Sequence, residues 1–397
     1  MRRRLFLGVA GIAPILNWIA SPCRCRAQPG GFTSDVYVGE KPTSVIKLAG
    51  PGRRAGAVAF TPDGSCLVVG HDDGSVHRYN ASSGLETGQF PARGPNDPIH
   101  AIAFAPDGLS FAIAAAVEEP DRPGASPDRD DSVSIFDDRG RETRRLSRMS
   151  GKILAVAFSK NGERIAAIDH AYVAQWWKVD DGSQSAVSVA HRANGQQATH
   201  AAARVGFSAD LERVVVVNDC REGDYGGALW SQIVRLVEPG GREPRMIRSQ
   251  GGTDTIASVA LSADGSRVLT AFAEHWILYW DFATVRHVGT NYTMIPLGVA
   301  AKNRRPAFAA FSPDDRRIVL GSERYAWVHE EDRGKKGGAM HTFEGPGGCI
   351  RAVAFLRDRV RFASGGFAVL DDQLIEGTQH PRYEPVTMWD VQIPEKK

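Results

Sequence analysis

The stretch Ala57–Gly64, A-V-A-F-T-P-D-G, decides how the rest of this chain is read. Val58 and Phe60 alternate with small residues at period two, the mark of a strand. Pro62-Asp63-Gly64 then supplies a turn, because Pro pre-sets φ at its first corner and Gly tolerates its exit. The pattern recurs six more times, in worn form. It reads A-I-A-F-A-P-D-G at Ala101–Gly108, A-V-A-F-S-K-N-G at Ala155–Gly162 and V-G-F-S-A-D at Val205–Asp210, where Leu211 has replaced the glycine. It continues as V-A-L-S-A-D-G at Val259–Gly265, A-A-F-S-P-D-D at Ala309–Asp315 and a last opening strand at Val353–Phe355.

The apolar anchors Phe60, Phe104, Phe158, Phe207, Leu261, Phe311 and Phe355 lie 44 to 54 residues apart. Each unit carries further short strands. In the first they are Cys66–Gly70 and Ser75–Tyr79, separated by the turn Asp72-Asp73-Gly74. Later third strands are Ser132–Asp137, the strand holding Trp176 and Trp177, and those ending Tyr279-Trp280-Asp281 and Met388-Trp389-Asp390. Several short strands at a period of about 40–55 residues are the signature of a β-propeller, whose blades bury their faces only against neighbours. The expected fold is all-β: a single seven-bladed propeller of four-stranded blades over residues 43–392.

The 397 residues are 42% hydrophobic and 24% charged, which describes a folded chain, and the body has no apolar run long enough to span a bilayer. Residues 1–27 read as an export signal: Arg2-Arg3-Arg4, an apolar stretch from Leu5 to Ala20, and Cys25-Arg26-Ala27 before the cut. Arg3-Arg4-Leu5-Phe6-Leu7 resembles the twin-arginine motif. An ordinary secretory signal and an uncleaved anchor stay open, while Pro22 argues against lipid attachment at Cys23. The expected location is the periplasm or beyond, in a bacterium. Cleavage removes five arginines and no acids, so the formal charge falls from +2 to −3 and the footprint for nucleic acid or anionic lipid disappears. Three cysteines remain, Cys66, Cys220 and Cys349, an odd number that cannot all pair within the chain. Residues 28–42 read as a flexible leader and 393–397 as a tail.

These units resemble the WD-repeat propellers, matching best at Asp73-Gly74-Ser75-Val76, Trp280-Asp281 and Trp389-Asp390. The Gly-His that precedes the innermost strand in that family is missing here. The resemblance implies closure by an N-terminal strand that becomes the outer strand of the last blade. Thr43–Ala49, T-S-V-I-K-L-A, has no hairpin partner upstream, and the last unit stops after its third strand at Gln392, as that closure requires.

The connections between second and third strands are longest at Val117–Asp131, Asn218–Trp230 and Gly366–Pro385, and a propeller brings all three to one face. Loops on a rigid scaffold are where binding residues collect, although such insertions also cost little as plain surface loops. Arg129, Arg221, Tyr225, Trp230, Phe367 and Tyr383 are the candidate partner-binding residues: Arg129 lies in a Pro-rich charged loop, 221–230 mixes charges with aromatics as interface anchors do, and 366–385 gathers apolar groups that read as a lid, a short strand pair or a partner site. The aspartates at 128, 130 and 131 lack the ligand alternation of a calcium loop.

No haem attachment, zinc, nucleophile-elbow or phosphate-loop motif is present, and the eleven histidines are scattered. Asp169-His170 and His341 are better read as ordinary hydrogen-bonded groups. Trp176, Trp177 and Trp276 read as inter-blade core rather than a stacking platform. No cofactor or metal is expected. The resulting expectation is a non-catalytic exported scaffold that presents a loop-rich face to a protein or peptide, with an exported enzyme or cofactor carrier centred on the channel mouth as the alternative.

Overall fold

The computed structural model describes residues 40–48, 54–92, 97–115, 132–149, 151–189, 204–222, 229–240, 244–248, 256–272, 277–291, 308–321, 325–330, 340–346, 350–356, 359–365 and 385–392. Among them are seven four-stranded sheets and no helix. Every pairing between neighbouring strands of a sheet is antiparallel. The first strands of the blades are Ala55–Phe60, Ile99–Phe104, Ile153–Phe158, Arg204–Phe207, Ile256–Leu261, Phe308–Phe311 and Ile350–Phe355. They pack against one another in order, and the last returns to the first. The chain is a seven-bladed β-propeller.

Blade seven takes its outer strand from the other end of the chain. Ser44–Lys47 pairs with Thr387–Gln392 in a register that sets Ser44 opposite Asp390 and Lys47 opposite Thr387. The ladder runs on through Thr43 N–H to the Asp390 carbonyl at 2.8 Å and Leu48 N–H to the Val386 carbonyl at 2.9 Å. Without this strand, the third strand of blade seven would present a full row of unpaired backbone groups.

The period-two alternation of the first strands now has its reason. Both faces of every blade are buried, but unequally. In blade one Val58, Phe60, Leu67 and Val69 join the core shared with blade seven, whereas Ala57, Ala59 and Val68 join the core shared with blade two. Blade two repeats this, with Ile102, Phe104 and Phe111 facing back and Ala101, Ala103 and Ala112 facing forward. Bulky side chains thus enter the space left by the preceding blade's alanines, which is how close packing is reached between wedges. Gly56 and Gly70 mark where blades come closest. A Cβ at 56 would meet the Ile99 carbonyl oxygen at 2.0 Å, and one at 70 the Ile99 Cγ2 at 2.5 Å.

The turn after the first strand is a small hydrogen-bonded device in five of the blades. The hydroxyl of Thr61, Ser208, Ser262 or Ser312 donates to the carboxylate two residues on, at 2.6–2.7 Å. The same hydroxyl accepts the N–H of the residue five positions on, Cys66, Arg213, Arg267 or Arg317, where the second strand begins or is about to begin. Blade three does this with Ser159 and Asn161. Gly64, Gly108, Gly162 and Gly265 then leave the turn with φ between 68° and 75°. Leu211 and Asp315 hold that left-handed place in blades four and six, at φ 60° and 56°.

Arginines tie one blade to a turn carbonyl of the next. Arg78 reaches Asp138, Arg144 reaches Asp180, Arg164 reaches Asp210, Arg245 reaches Ala283, Arg267 reaches Asp315 and Arg361 reaches Gly64. Between blades six and seven the corresponding turn, 357–358, lies outside the described residues, and the bonds described there join Glu40 and Lys41 to the outer strand of blade six. Glu40 N–H donates to the Thr342 carbonyl at 2.9 Å, and Glu344 N–H donates to the Glu40 carbonyl at 3.0 Å.

Candidate interaction surface

Antiparallel blades place the connections between second and third strands on the same face as the entries to the first strands. On that face blade four departs from its neighbours. Its second and third strands, Val214–Glu222 and Leu229–Val237, are nine residues each, against five or six in the other blades. Among the described residues the inner strand pairs with Val214–Val217 and the outer strand with Ile233–Leu236. Among them, residues 218–222 and 229–232 therefore pair as a two-stranded extension of the blade. Much of what reads in sequence as a connection is paired strand.

The register sets Arg221 opposite Trp230, with Cys220 opposite Ser231 and Glu222 opposite Leu229. Two of the six candidate residues are thus brought together. Tyr225, Arg129, Phe367 and Tyr383 lie outside the described residues, as does Trp276. The base of the blade-seven connection is described, and it is tight: a Cβ at Gly365, where φ is 95°, would meet the Pro385 carbonyl oxygen at 2.5 Å.

At the channel mouth the first strands of blades one, two, three, five and seven each carry a bulge just after their first residue. The bulged residues are Gly56, His100, Leu154, Ala257 and Arg351. Arg351 is 2% exposed and donates to the carbonyls of Ala55 and of Gly56, so this cation closes the junction of blades seven and one. Among the described residues no group of three or more His, Cys, Asp or Glu is arranged to hold a metal ion.

Asp169 is fully buried and accepts N–H bonds from Ala171 and Val173, which caps a turn. His170 is exposed, and His341 stacks on Phe343 with ring centroids 6.4 Å apart. The indole N–H of Trp176 donates to the Leu211 carbonyl and that of Trp177 to Ser147 Oγ, both rings being buried between blades. In blade one His71 and His77 are buried with their rings edge to face at 4.9 Å, and His77 Nδ1 lies 3.1 Å from Glu86 Oε1.

A cavity of about 680 Å³ opens on the opposite face between blades three and four, lined by Glu163, Arg164, Trp176, Lys178, Asp180 and Pro239. Its charges balance, and Arg164 is already bonded to Asp210 and Glu212. Sequence reasoning missed it, because its walls come from two turns and a strand end with no shared motif.

No helix of the described residues is long and apolar enough to cross a membrane. Residues 43–80 match the family model described as WD domain, G-beta repeat. In structural terms that match runs from the closing strand through the three inner strands of blade one, so the sequence repeat straddles two blades. Over 84 residues the chain is 30% identical to eukaryotic translation initiation factor 3 subunit I of Candida albicans and 27% identical to that of Debaryomyces hansenii. Each match covers 20% of this chain and 24% of the relative, so the chain matches about a quarter of those proteins' length. One WD repeat is thus matched at residues 43–80, in a chain whose described residues form seven closed propeller blades.

Proposed function

We propose that the protein is a non-catalytic interaction scaffold, exported from a bacterial cytoplasm, whose blade-four extension docks a protein or peptide partner. The paired strands reaching Glu222 and Leu229 support the reading, since their register sets Arg221 opposite Trp230 on two hydrogen-bonded strands. Pre-ordering lowers the entropic cost of binding, and Arg and Trp are over-represented among residues that dominate interface energy. The arginine-rich, acid-free residues 1–27 support export.

A photo-crosslinking residue placed at 225 is expected to give one discrete adduct in living cells, whereas the same residue at 109, on the other face, gives none. Exchanging Arg221 and Trp230 for Ala should remove the adduct and leave the melting curve unchanged. Equal labelling from both faces would refute the assignment. Export is tested separately by sequencing the mature N-terminus: Gln28 supports it, and an intact Met1 on the functional protein rejects it.

A further inference from the structure

The outer strand of each blade ends its sheet on a row of backbone groups, and such edges are commonly guarded by charges, proline or a covering segment. Ser44–Lys47, Glu86–Pro91, Glu142–Arg145 and Arg245–Arg248 carry charged side chains, His287–Asn291 is interrupted by Gly289, and Met340–Glu344 is bridged by Glu40. The outer strand of blade three differs. Gln184–Val189, Q-S-A-V-S-V, has no charge, glycine or proline, and among the described residues nothing pairs with its outer edge. Gln184, Ser185 and Val187 are exposed.

The cavity between blades three and four opens beside this strand, with Ser185 and Ala186 among its walls. Ala186 stands opposite Trp176 and Ser188 opposite Ala174, and Ser188 Oγ donates to the Glu238 carbonyl at 2.7 Å, so this alternation of the strand faces blade four, where the cavity lies. Val187, opposite Gln175, faces the other way. Formally the cavity's charges balance, yet each of its cations is drawn to an acid outside it. Arg164 bonds to Glu212. Lys178 lies near Asp181, whose carboxyl is held low by hydrogen bonds from Ser183, with the Lys178 charge adding to the effect. Glu163 and Asp180 meet uncharged donors instead, the Asn161 amide at 2.7 Å and the Asp181 N–H at 2.8 Å. The cavity thus keeps two carboxylates that no cation of the described residues pairs with.

We propose that this edge and cavity dock an extended segment of another protein, laid along Gln184–Val189 as a fifth strand, with an arginine or lysine opposite Ala186 that reaches Glu163 and Asp180 and an apolar residue opposite Val187. Main-chain bonds hold the segment, and the alternation of its side chains selects it. The site lies on the face away from the blade-four extension and does not depend on it.

The test titrates the synthetic peptide acetyl-Thr-Val-Arg-Val-Thr-Val-amide into the full-length protein at low salt, beside the same peptide with Glu in place of Arg. The Arg peptide should bind at least about fivefold more tightly, since one exposed ion pair is worth up to about that factor. In Glu163→Gln combined with Asp180→Asn, two exposed positions, that preference should vanish with the melting curve unchanged. The bound Arg peptide should slow amide exchange within Gln184–Val189 and leave the Ala326 amide of blade six as it was. No measurable binding, equal affinity for the two peptides, a preference that survives the double variant, or unchanged exchange in Gln184–Val189 overturns the proposal. A wild type that sediments as a dimer and loses protection in Gln184–Val189 on dilution overturns it too, since the edge would then belong to a second copy.

Discussion

At the residue scale the first-strand turns combine two opposite electrostatic effects. Burial raises the carboxyls of Asp63, Asp264 and Asp314, but hydrogen bonds outweigh it: the side chains of Thr61, Ser262 and Ser312 and the N–H groups of Ser65, Ser266 and Arg316 hold all three below the ordinary aspartate range. These groups stabilise the fold above the unfolded aspartate pKa, and that contribution is lost as pH falls through their depressed values. Asp315 has the opposite sign. It sits 4% exposed in the place of a turn glycine, and burial pushes its carboxyl up against the lowering effect of bonds from the Ala263 and Asp264 N–H groups. Its contribution is greatest below the unfolded pKa and is lost as pH rises through the elevated folded one. In Asp315→Asn that titration is gone, so thermal melts from pH 3 to pH 7 should show the variant gaining on the wild type as pH rises. A constant difference would show that the site does not titrate as inferred. Leu211, the other replacement, is fully buried against Trp176, so its left-handed backbone is held by packing.

At the scale of the element, the strands of blade seven join the two ends of the ring. Arg361 grips Asp390 through two bonds of 2.6 and 2.8 Å, both side chains being buried, and its third contact is the Gly64 carbonyl in blade one. Removing one partner of such a pair leaves a buried charge uncompensated, which typically costs about 3–5 kcal/mol. Because Arg359 stays 3.8 Å from Asp390, Arg361→Met should lower denaturant-measured stability by about 3 kcal/mol, the low end of that range. Adding Asp390→Asn to it should recover part of the loss; no recovery would mean that the bond to Gly64 matters more than the ion pair. The seven repeats and the closing strand were legible in sequence, because both faces of each first strand are buried and the turn chemistry that ends it is short-range. The arginine ties were not, since each joins residues far apart in the chain, as Arg164 and Asp210 are, and no local pattern marks them. The blade-four extension was hidden for another reason. Beyond Val217 the ribbon leaves the four-stranded blade, and Asn218–Glu222 shows neither alternation nor a clean turn.

At the scale of the molecule, stability is distributed over seven junctions, and a core cluster sits in each among the described residues. None of these cores belongs to one blade alone, so loss of any junction weakens the others. Deleting residues 43–48 should lower the melting temperature sharply, and an unchanged value would contradict closure by that strand. The unequal faces of the blades say what the damaged protein does next. Opened between blades seven and one, the ring ends in one surface whose inner strands carry Ala352, Ala354 and Ala363, with Val386 and Met388 further out, and one bulky surface carrying Val58, Phe60 and Leu67. The two fit each other but not themselves. Copies that lose their seam would therefore join head to tail, with no symmetry to stop the growth, and go on to chains or wider rings instead of dimers.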